Sequence, residues 1–437
     1  MRFLKGISRI LIGVVFIVSG FLKALDPVGT SLKIKEYLGA MNLNFLDLFA
    51  TPGAIILCCI EFLIGIAILK GLRIRLFSVI SLVFTLFFTV ITLCSATFLP
   101  VKDCGCFGEA IHLTNWQTLG KNVLLLVAAV VIYRQRSSFA PIATKFWQNI
   151  YLGAYSLFIL ATTLYSLFFL PLADFGQFKP GTDLIANLSE NQLKQFKTVI
   201  IYSKDGVEEE FTLDNLPDST WSYVDTKSVL IAEGSSSNID FSIRDNRGNT
   251  VTDSILNLNS PLVFVSVYKN LSNKKHLEIE QMEGSVTKAG GKLFVLSASN
   301  EKPNISLPVY SSDHKTLLSL NRSNGGLTYV YEGIIVKKWS RRNYPTNMDN
   351  IFGQSPNILI ADTIIQEQLF IEFSLALLIF MVIIIRSVSK RIYKNHLKRL
   401  KSQSEAKIHN SAEMQDSTEM QDSAEMHDNA EVQNNAK

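Results

Sequence analysis

The chain has 437 residues, of which 48% are hydrophobic and 18% charged, and its formal net charge is +4. So small a positive charge argues against nucleic-acid binding, and five cysteines in so long a chain exclude a disulfide-rich secreted scaffold. The hydrophobic residues are concentrated in runs of about 20 residues with almost no charge, which a soluble core does not require. This pattern is typical of an integral membrane protein.

Six segments are long and apolar enough to cross about 30 Å of hydrocarbon as helices. They are residues 7–25, 51–70, 74–97, 118–134, 147–172 and 366–386. The first follows Lys5 and Arg9 and could be taken for a signal peptide, but no clear small-residue cleavage site comes after it. We therefore expect six transmembrane helices.

Lysine and arginine residues collect at alternate ends of these spans. They lie at Lys5 and Arg9, in 70–75, in 134–145 and in a cluster over 386–401. Basic flanks usually stay in the cytoplasm, so both termini are predicted to be cytoplasmic in a multi-pass protein of the inner (cell) membrane. Segments 26–50, 98–117 and 173–365 are then predicted to lie outside, the last as a periplasmic domain.

The segment 26–50 carries an amphipathic pattern. Thr30 or Ser31 can cap a helix there. Apolar residues then recur at helical spacing, at Ile34, Tyr37, Leu38 and Met41. We expect this helix to cover the mouth of the membrane bundle.

Residues 173–365 are predicted to form a mixed α/β domain, with early hairpins at 205–206 and 246–248. Between about residues 255 and 345 the predicted order is β-α-β-α-β-β, which resembles the thioredoxin-like fold. The Cys-x-x-Cys of redox-active members is absent, because Tyr268-Lys269-Asn270-Leu271-Ser272 follows the first of these strands. Asn324-Gly325-Gly326-Leu327 stands where the family has a cis-proline. We therefore predict a redox-inert domain that recruits a protein partner.

The last segment, residues 387–437, begins with the basic cluster and continues as four polar, acidic hexads between Ser411 and Asn434. These hexads have no hydrophobic face to bury, so a disordered cytoplasmic tail is expected. The basic cluster lies where anionic membrane lipid would attract it, and a simple stop-transfer anchor explains it equally well.

Cys104-Gly105-Cys106-Phe107-Gly108 lies in the short loop between the third and fourth spans. Two cysteines separated by one glycine can form a disulfide if the backbone turns tightly, and small, exposed rings of this kind are exchangeable. Cys104 and Cys106 are therefore the candidate exchanging pair, with a static structural clip as the alternative. A zinc site has only His112 as a further nearby ligand and is short of donors.

One acidic residue and three further cysteines lie within the spans. Placing the carboxyl of Glu61 at mid-membrane costs on the order of 3 kcal/mol of free energy. Glu61 should therefore face the bundle interior and have a partner or carry a proton. Gly65 lies on the same helical stripe and would let a neighbouring helix approach. The further cysteines either pass electrons inward or pack as small apolar residues; they are Cys58, Cys59 and Cys94.

Three motifs resemble the DoxX/MauE group of four-helix membrane proteins over about residues 1–135. They are Ser19-Gly20-Phe21-Leu22-Lys23-Ala24-Leu25-Asp26-Pro27, Glu61-x-x-x-Gly65 and Cys104-Gly105-Cys106-Phe107-Gly108. MauE is associated with methylamine utilisation and disulfide formation in methylamine dehydrogenase, and DoxX-type proteins with quinone-coupled sulfur oxidation. The resemblance implies a redox-associated membrane protein and allows a quinone as cofactor, but it supplies no substrate.

Three functions stay open at this point. The first is thiol–disulfide assistance to exported proteins, with Cys104 and Cys106 exchanging and Glu61 managing the proton. The second is a non-catalytic membrane scaffold in which the pair is a static clip. The third is a bundle that binds a quinone or another small molecule around Glu61.

Overall fold

The structure, a computed structural model, describes residues 2–99, 101, 104–139, 144–186, 197–204, 207–212, 217, 221–229, 241–298, 303, 305–385, 387–388, 391 and 402–403. Within them lie six helices long and apolar enough to cross a membrane, at Phe3–Leu25, Asn44–Lys70, Ile74–Thr97, Asn115–Arg134, Lys145–Phe168 and Pro356–Ile385. The prediction of a polytopic membrane protein is therefore confirmed. The predicted tail lies almost entirely outside the described residues, as do the turn at 205–206 and most of the basic cluster.

The described residues form long apolar helices and a smaller α/β region, which lies between the fifth and sixth spans. Its helices are α1 (Arg2–Leu25), α2 (Pro27–Ala40), α3 (Ala50–Lys70), α4 (Ile74–Thr97), α5 (Asn115–Arg134), α6 (Lys145–Phe168), α7 (Thr252–Leu256), α8 (Asn273–Lys288), α9 (His314–Leu320), α10 (Asp349–Phe352) and α11 (Pro356–Ile385). Its strands are β1 (Cys106–Glu109), β2 (Lys197–Lys204), β3 (Val207–Thr212), β4 (Ser222–Val229), β5 (Leu262–Val267), β6 (Lys292–Ala298), β7 (Val309–Ser312), β8 (Gly326–Tyr331) and β9 (Ile334–Trp339).

The sixth span begins earlier than the sequence predicted, at Pro356 instead of residue 366. Asn357 and Asp362 lie just before the apolar run that the prediction relied on, so the sequence placed the start of the span after them. Proline suits the first turn of a helix, where its missing N–H leaves no bond unmade, so the helix starts there despite the polar residues that follow.

Glycines allow α1 and α3 to pack with their backbones almost in contact. A Cβ atom on Gly65 would lie 2.6 Å from the backbone nitrogen of Ile17, and one on Gly20 would lie 2.5 Å from that of Phe62. Small residues give membrane helices this close approach. It brings the polar residues of α1 directly opposite Glu61 on α3.

The helix predicted in segment 26–50 is α2, but its cap differs from the prediction. Asp26 is the N-cap, and its Oδ1 accepts a hydrogen bond of 2.9 Å from the backbone nitrogen of Gly29. Thr30 and Ser31 lie inside the helix and are buried, so the prediction that one of them caps it is wrong. Proline at position 27 favours Asp26, because proline is suited to the first helical position after the cap.

The α/β domain is built on a five-stranded sheet with the order β7-β6-β5-β8-β9. β5, β6 and β7 are parallel, whereas β8 pairs antiparallel with both β5 and β9. The turn between β8 and β9 places Glu332 and Gly333 at positive φ, as a two-residue hairpin requires. Strand β7, with the sequence Val-Tyr-Ser-Ser, was not predicted because it is short and lacks a run of apolar residues.

A second, three-stranded sheet has the order β3-β2-β4. β2 and β3 pair antiparallel with Lys204 opposite Val207, as expected of the first predicted hairpin. The second predicted hairpin is a tight turn in which Arg244 and Thr250 form an isolated bridge. Strand β4 was not predicted, because Ser-Tyr-Val-Asp-Thr-Lys-Ser-Val alternates too weakly in polarity.

The α/β domain rests on α2. Leu32 of α2 belongs to the same hydrophobic cluster as Phe178, Phe264 and Leu317, and Val28 packs against it. The domain therefore shares a core with the helix that leads out of the first span, at the end of the bundle that carries the cysteine loop.

Candidate functional site

The cysteine loop turns tightly around its glycines. Gly105 and Gly108 have φ of 61° and 64°, in the left-handed region that glycine adopts without strain, and the nitrogen of Gly108 donates to the carbonyl of Gly105 over 3.0 Å. This turn brings the sulfur of Cys106 to 3.1 Å from that of Cys104. The two half-buried thiols are unbonded in the structure and adjacent. The sequence-predicted pair is thus placed together.

A buried ion pair holds the loop from the membrane side. Lys23 Nζ lies 2.6 Å from Glu61 Oε2, and the two side chains are 4% and 7% exposed. Lys23 Nζ also donates to the backbone carbonyl of Cys106. Glu61 therefore faces the bundle interior with Lys23 as its partner. The pair anchors the backbone of the cysteine loop between α1 and α3.

Ser19 completes this anchor. Its hydroxyl accepts a hydrogen bond of 2.7 Å from Lys23 Nζ. It lies 2.7 Å from Glu61 Oε2 and 2.6 Å from the carbonyl of Cys106, and its single proton can serve one of these acceptors at a time. These bonds offset the cost of burying the two charges.

The two thiols differ in their protonation. A hydrogen bond from Cys104 and the nearby charges of Lys121 and Lys23 lower the pKa of Cys106 to about 6, although burial opposes this. The same sulfur–sulfur hydrogen bond and burial raise the pKa of Cys104 well above its usual range. At neutral pH, Cys106 is therefore the thiolate and Cys104 the thiol, which is the arrangement of a nucleophile beside a proton donor.

A cavity of about 370 Å³ opens beside the pair, within the bundle. Its walls are apolar and include an aromatic group from α4, in which the ring centroids of Phe84 and Phe88 are 4.7 Å apart and those of Phe87 and Phe88 are 5.4 Å apart. The polar residues that line it include Lys23, Lys33, Tyr37, Glu61, Cys104, Cys106 and Lys121. Phe87 is 58% exposed on the outside of the bundle, so the cavity borders the lipid-facing surface.

The remaining candidate cysteines lie elsewhere. Cys58 is fully buried in the core between α1, α3 and α6, and Cys59 packs against that core. Cys94 is half-buried on α4, and its carbonyl accepts from the nitrogens of Phe98 and Leu99. Among the described residues, the cysteines that line the cavity are Cys104 and Cys106. An electron relay through the other three stays a prediction. Within the described residues there is also no group of three or more metal-binding side chains.

Lys121, on α5, is a site residue that sequence reasoning missed. It lines the cavity, contributes to the low pKa of Cys106, and lies with its Nζ 4.7 Å from the centroid of the Phe107 ring. The sequence does contain a signal for it, because a lysine inside an apolar span is as unusual as the carboxyl of Glu61. Lys23 carried the same signal at the end of the first span.

The α/β domain also contacts the loop. Arg322, between α9 and β8, donates from Nη2 to Glu109 Oε2 over 2.9 Å, and Glu109 ends β1. Arg322 also donates to Asp26 Oδ2. Nothing in the local sequence around Arg322 indicates this role, because Asp26 and Glu109 are 296 and 213 residues away along the chain.

Comparisons with known proteins match two separate parts of the chain. The family model described as "Methylamine utilisation protein MauE" matches residues 1–134, and "Domain of unknown function (DUF8463)" matches residues 196–233. Protein TlpB of Flavobacterium psychrophilum is 30% identical over 128 residues, which are 29% of this chain and 35% of that protein. The match therefore spans about a third of the curated relative. No solved structure matches. The MauE match covers the first four spans and the cysteine loop.

Proposed function

We propose that this chain is a redox protein of the inner membrane that exchanges disulfides with exported proteins through Cys104 and Cys106. The observation that carries the proposal is the pair of free sulfurs 3.1 Å apart at the wall of the cavity. The lowered pKa of Cys106 and the raised pKa of Cys104 support it. The match of residues 1–134 to the MauE family supports a link with the maturation of exported proteins. The positions of the basic residues support cytoplasmic termini, with the loop and the α/β domain on the periplasmic side.

The chemistry is a thiol–disulfide exchange with the pair in its oxidised form. A thiolate of the exported protein attacks the sulfur of Cys104, and Cys106 leaves because the thiol of lower pKa is the better leaving group. A second thiolate of the exported protein then attacks its own sulfur in the mixed disulfide and displaces Cys104. The exported protein gains a disulfide, while Cys104 and Cys106 become the reduced pair.

The α/β domain serves in this account as the docking platform for the exported protein. Its strand order, with three parallel strands followed by an antiparallel pair, supports the thioredoxin-like assignment. At the end of β5, Asn324 Oδ1 accepts from the nitrogens of Tyr268 and Lys269 over 2.8 and 3.0 Å. These hydrogen bonds occupy the position where redox-active members carry cysteines. This supports a binding role without dithiol chemistry.

The cavity favours a second function, the binding of a quinone as the electron acceptor. Its volume falls in the range of small-molecule sites, and its aromatic walls suit a planar ring. The ammonium of Lys121 and the hydroxyl of Tyr37 line it and can donate to carbonyl oxygens. Reoxidation of the pair would form the Cys104–Cys106 bond, with two electrons and two protons passing to the quinone to give a quinol.

Trapping with a defined substrate tests the exchange function. Full-length Cys106→Ser protein, purified in detergent, is incubated with a two-cysteine peptide in reduced form and an added thiol oxidant. We expect a mixed disulfide between the peptide and Cys104, which accumulates when one cysteine of the peptide is replaced by serine, because no second thiol is then left in the peptide or beside Cys104 to resolve it. The Cys104→Ser/Cys106→Ser double variant controls for the other cysteines. If neither the unaltered protein nor Cys106→Ser reacts with the peptide, the pair is a static clip.

Thermal stability with and without the naphthoquinone menadione tests the cavity. We expect menadione to raise the melting temperature of the unaltered protein and not that of Leu57→Trp, whose indole would fill the cavity. Ile56→Trp is the matched control, because Ile56 is the adjacent residue, is 57% exposed and points away from the cavity. Equal stabilisation of both tryptophan variants would exclude the cavity as the quinone site.

A further inference from the structure

Arg322 joins three distant parts of the chain in one buried contact. Its side chain is 4% exposed. Nη2 and Nε donate to Asp26 Oδ2 over 2.9 and 3.2 Å, and Nη2 also donates to Glu109 Oε2 over 2.9 Å. Nη1 donates to the carbonyl of Leu318 over 3.2 Å, which ties the guanidinium to α9 of its own domain. A single side chain therefore links the α/β domain to the end of the first span and to the cysteine loop.

Both carboxylate partners lie close in sequence to the anchor of the thiols. Asp26 follows Lys23 by three residues, and Glu109 follows Cys106 by three residues. Lys23 binds the loop at the carbonyl of Cys106, while Arg322 binds it at the far end of β1. The short strand that carries Cys106 is thus held at two points, one in the membrane bundle and one in the α/β domain.

The carboxylates around this contact outnumber the cations of the α/β domain, so Arg322 compensates part of an excess of negative charge. Asp174, in the segment after the fifth span, pairs with Lys338 of β9 over 2.7 Å. A Cβ atom on Gly176 would lie 3.0 Å from Asp174 Oδ1, 3.0 Å from Glu109 Oε2 and 3.4 Å from Arg322 Nη2. The first-span, loop and linker segments therefore contribute three carboxylates, and the α/β domain contributes two cations.

Burial raises the pKa of Glu109; Arg322 and, to a smaller extent, Lys33 oppose the rise, and Asp26 and Asp174 add to it. Loss of the guanidinium would leave three clustered carboxylates facing the ammonium groups of Lys338 and Lys33. Glu109 would then have to take up a proton or move toward water, because a buried charge without a partner is costly. Either response releases the end of β1.

We infer that Arg322 is a positioning residue for the dithiol: by holding Glu109, it fixes β1 so that the sulfur of Cys106 stays beside Cys104 and Lys121. The reactivity of the pair then depends on the docked position of the α/β domain, although that domain contributes no cysteine. The inference rests on the proposed function for its biological meaning and deepens it, since it concerns the same two thiols. A merely structural ion cluster would affect stability alone.

The test is the pH dependence of Cys106 alkylation by iodoacetamide, followed by mass spectrometry on the full-length reduced protein. In Arg322→Met we expect the midpoint of the rate curve to move upward by about one pH unit, so that the rate below the midpoint falls roughly tenfold. Arg322→Lys should show a smaller upward shift of the midpoint than Arg322→Met. Arg341→Met is the matched control, because Arg341 is an exposed arginine of the same domain. If the substitution changed only the access of iodoacetamide to Cys106, the plateau rate would change and the midpoint would not move.

Glu109→Gln provides a second variant if Arg322→Met does not fold. The amide keeps the size of the side chain but weakens the bond to the guanidinium, and we expect a smaller shift in the same direction. An unchanged midpoint in the folded variants would overturn the role of Arg322. That result is distinct from failure of the proposed function, in which the unaltered protein would not exchange with the two-cysteine peptide.

Discussion

Lys23 and Glu61 form a buried ion pair between the first and third helices, with 2.6 Å between Nζ and Oε2. The same ammonium binds the carbonyl of Cys106, so one contact serves both the packing of the bundle and the placement of the thiol loop. Removing either partner leaves a charge buried in a medium that solvates it poorly, whereas removing both leaves none.

We expect Glu61→Gln to destabilise the protein by about 3–5 kcal/mol, because Lys23 is left without its counter-charge. The double variant Lys23→Met/Glu61→Leu should recover most of that loss. Thermal denaturation of the purified protein in one detergent measures the three species. A double variant no more stable than Glu61→Gln would show that the other bonds of Lys23, not the charge pairing, maintain the bundle.

The close approach of α1 and α3 makes Gly20 intolerant of any side chain. A methyl group there would lie 2.5 Å from the backbone nitrogen of Phe62, so Gly20→Ala should force the helices apart and lower the melting temperature by several degrees. Gly153→Ala is the matched control, because a Cβ on this helical glycine meets nothing within 4 Å. It should be neutral or slightly stabilising, since alanine favours the helix more than glycine. Equal effects of the two substitutions would contradict the packing argument.

Much of this arrangement is readable from the sequence. The apolar runs identify the six spans of the described residues, and the strand and turn signals locate four of the five strands of the larger sheet, including its last hairpin. The pair Cys104 and Cys106 stands out because glycine separates two thiols in a short loop. Glu61 stands out because a carboxyl in an apolar run must face a partner.

The sequence does not show which distant residues contact each other in the folded protein. Lys23 belongs to the motif that runs from Ser19 to Pro27, yet its bond to Glu61 depends on how α1 packs against α3. Lys121 is unusual as a lysine inside an apolar span, yet its position beside Cys106 depends on how the loop folds against α5. Arg322 lies far from Asp26 and Glu109 along the chain, so only the docking of the α/β domain reveals it. Contacts of this kind depend on tertiary structure, and one sequence contains no local pattern for them.

The charge of Lys121 should set part of the reactivity of Cys106. The alkylation rate of Cys106 in the reduced protein should rise with pH through a midpoint near its pKa of about 6 and then level off, because the thiolate is the reactive form. In Lys121→Met the midpoint should move upward, since a nearby positive charge no longer favours the anion. Lys145→Met, at the exposed start of α6, is the control. An unchanged midpoint in Lys121→Met would show that Lys121 does not influence the pKa of Cys106.

The most direct test of the account is the redox state of Cys104 and Cys106 in native membranes, trapped with a maleimide-linked polymer before and after mild reductant. The account predicts a mixed population of oxidised and reduced pairs, together with a disulfide-linked protein adduct in Cys106→Ser that Cys104→Ser/Cys106→Ser lacks. A pair that is fully oxidised, resists reduction and forms no adduct in either single variant would contradict it, and Cys104–Cys106 would then be a structural clip.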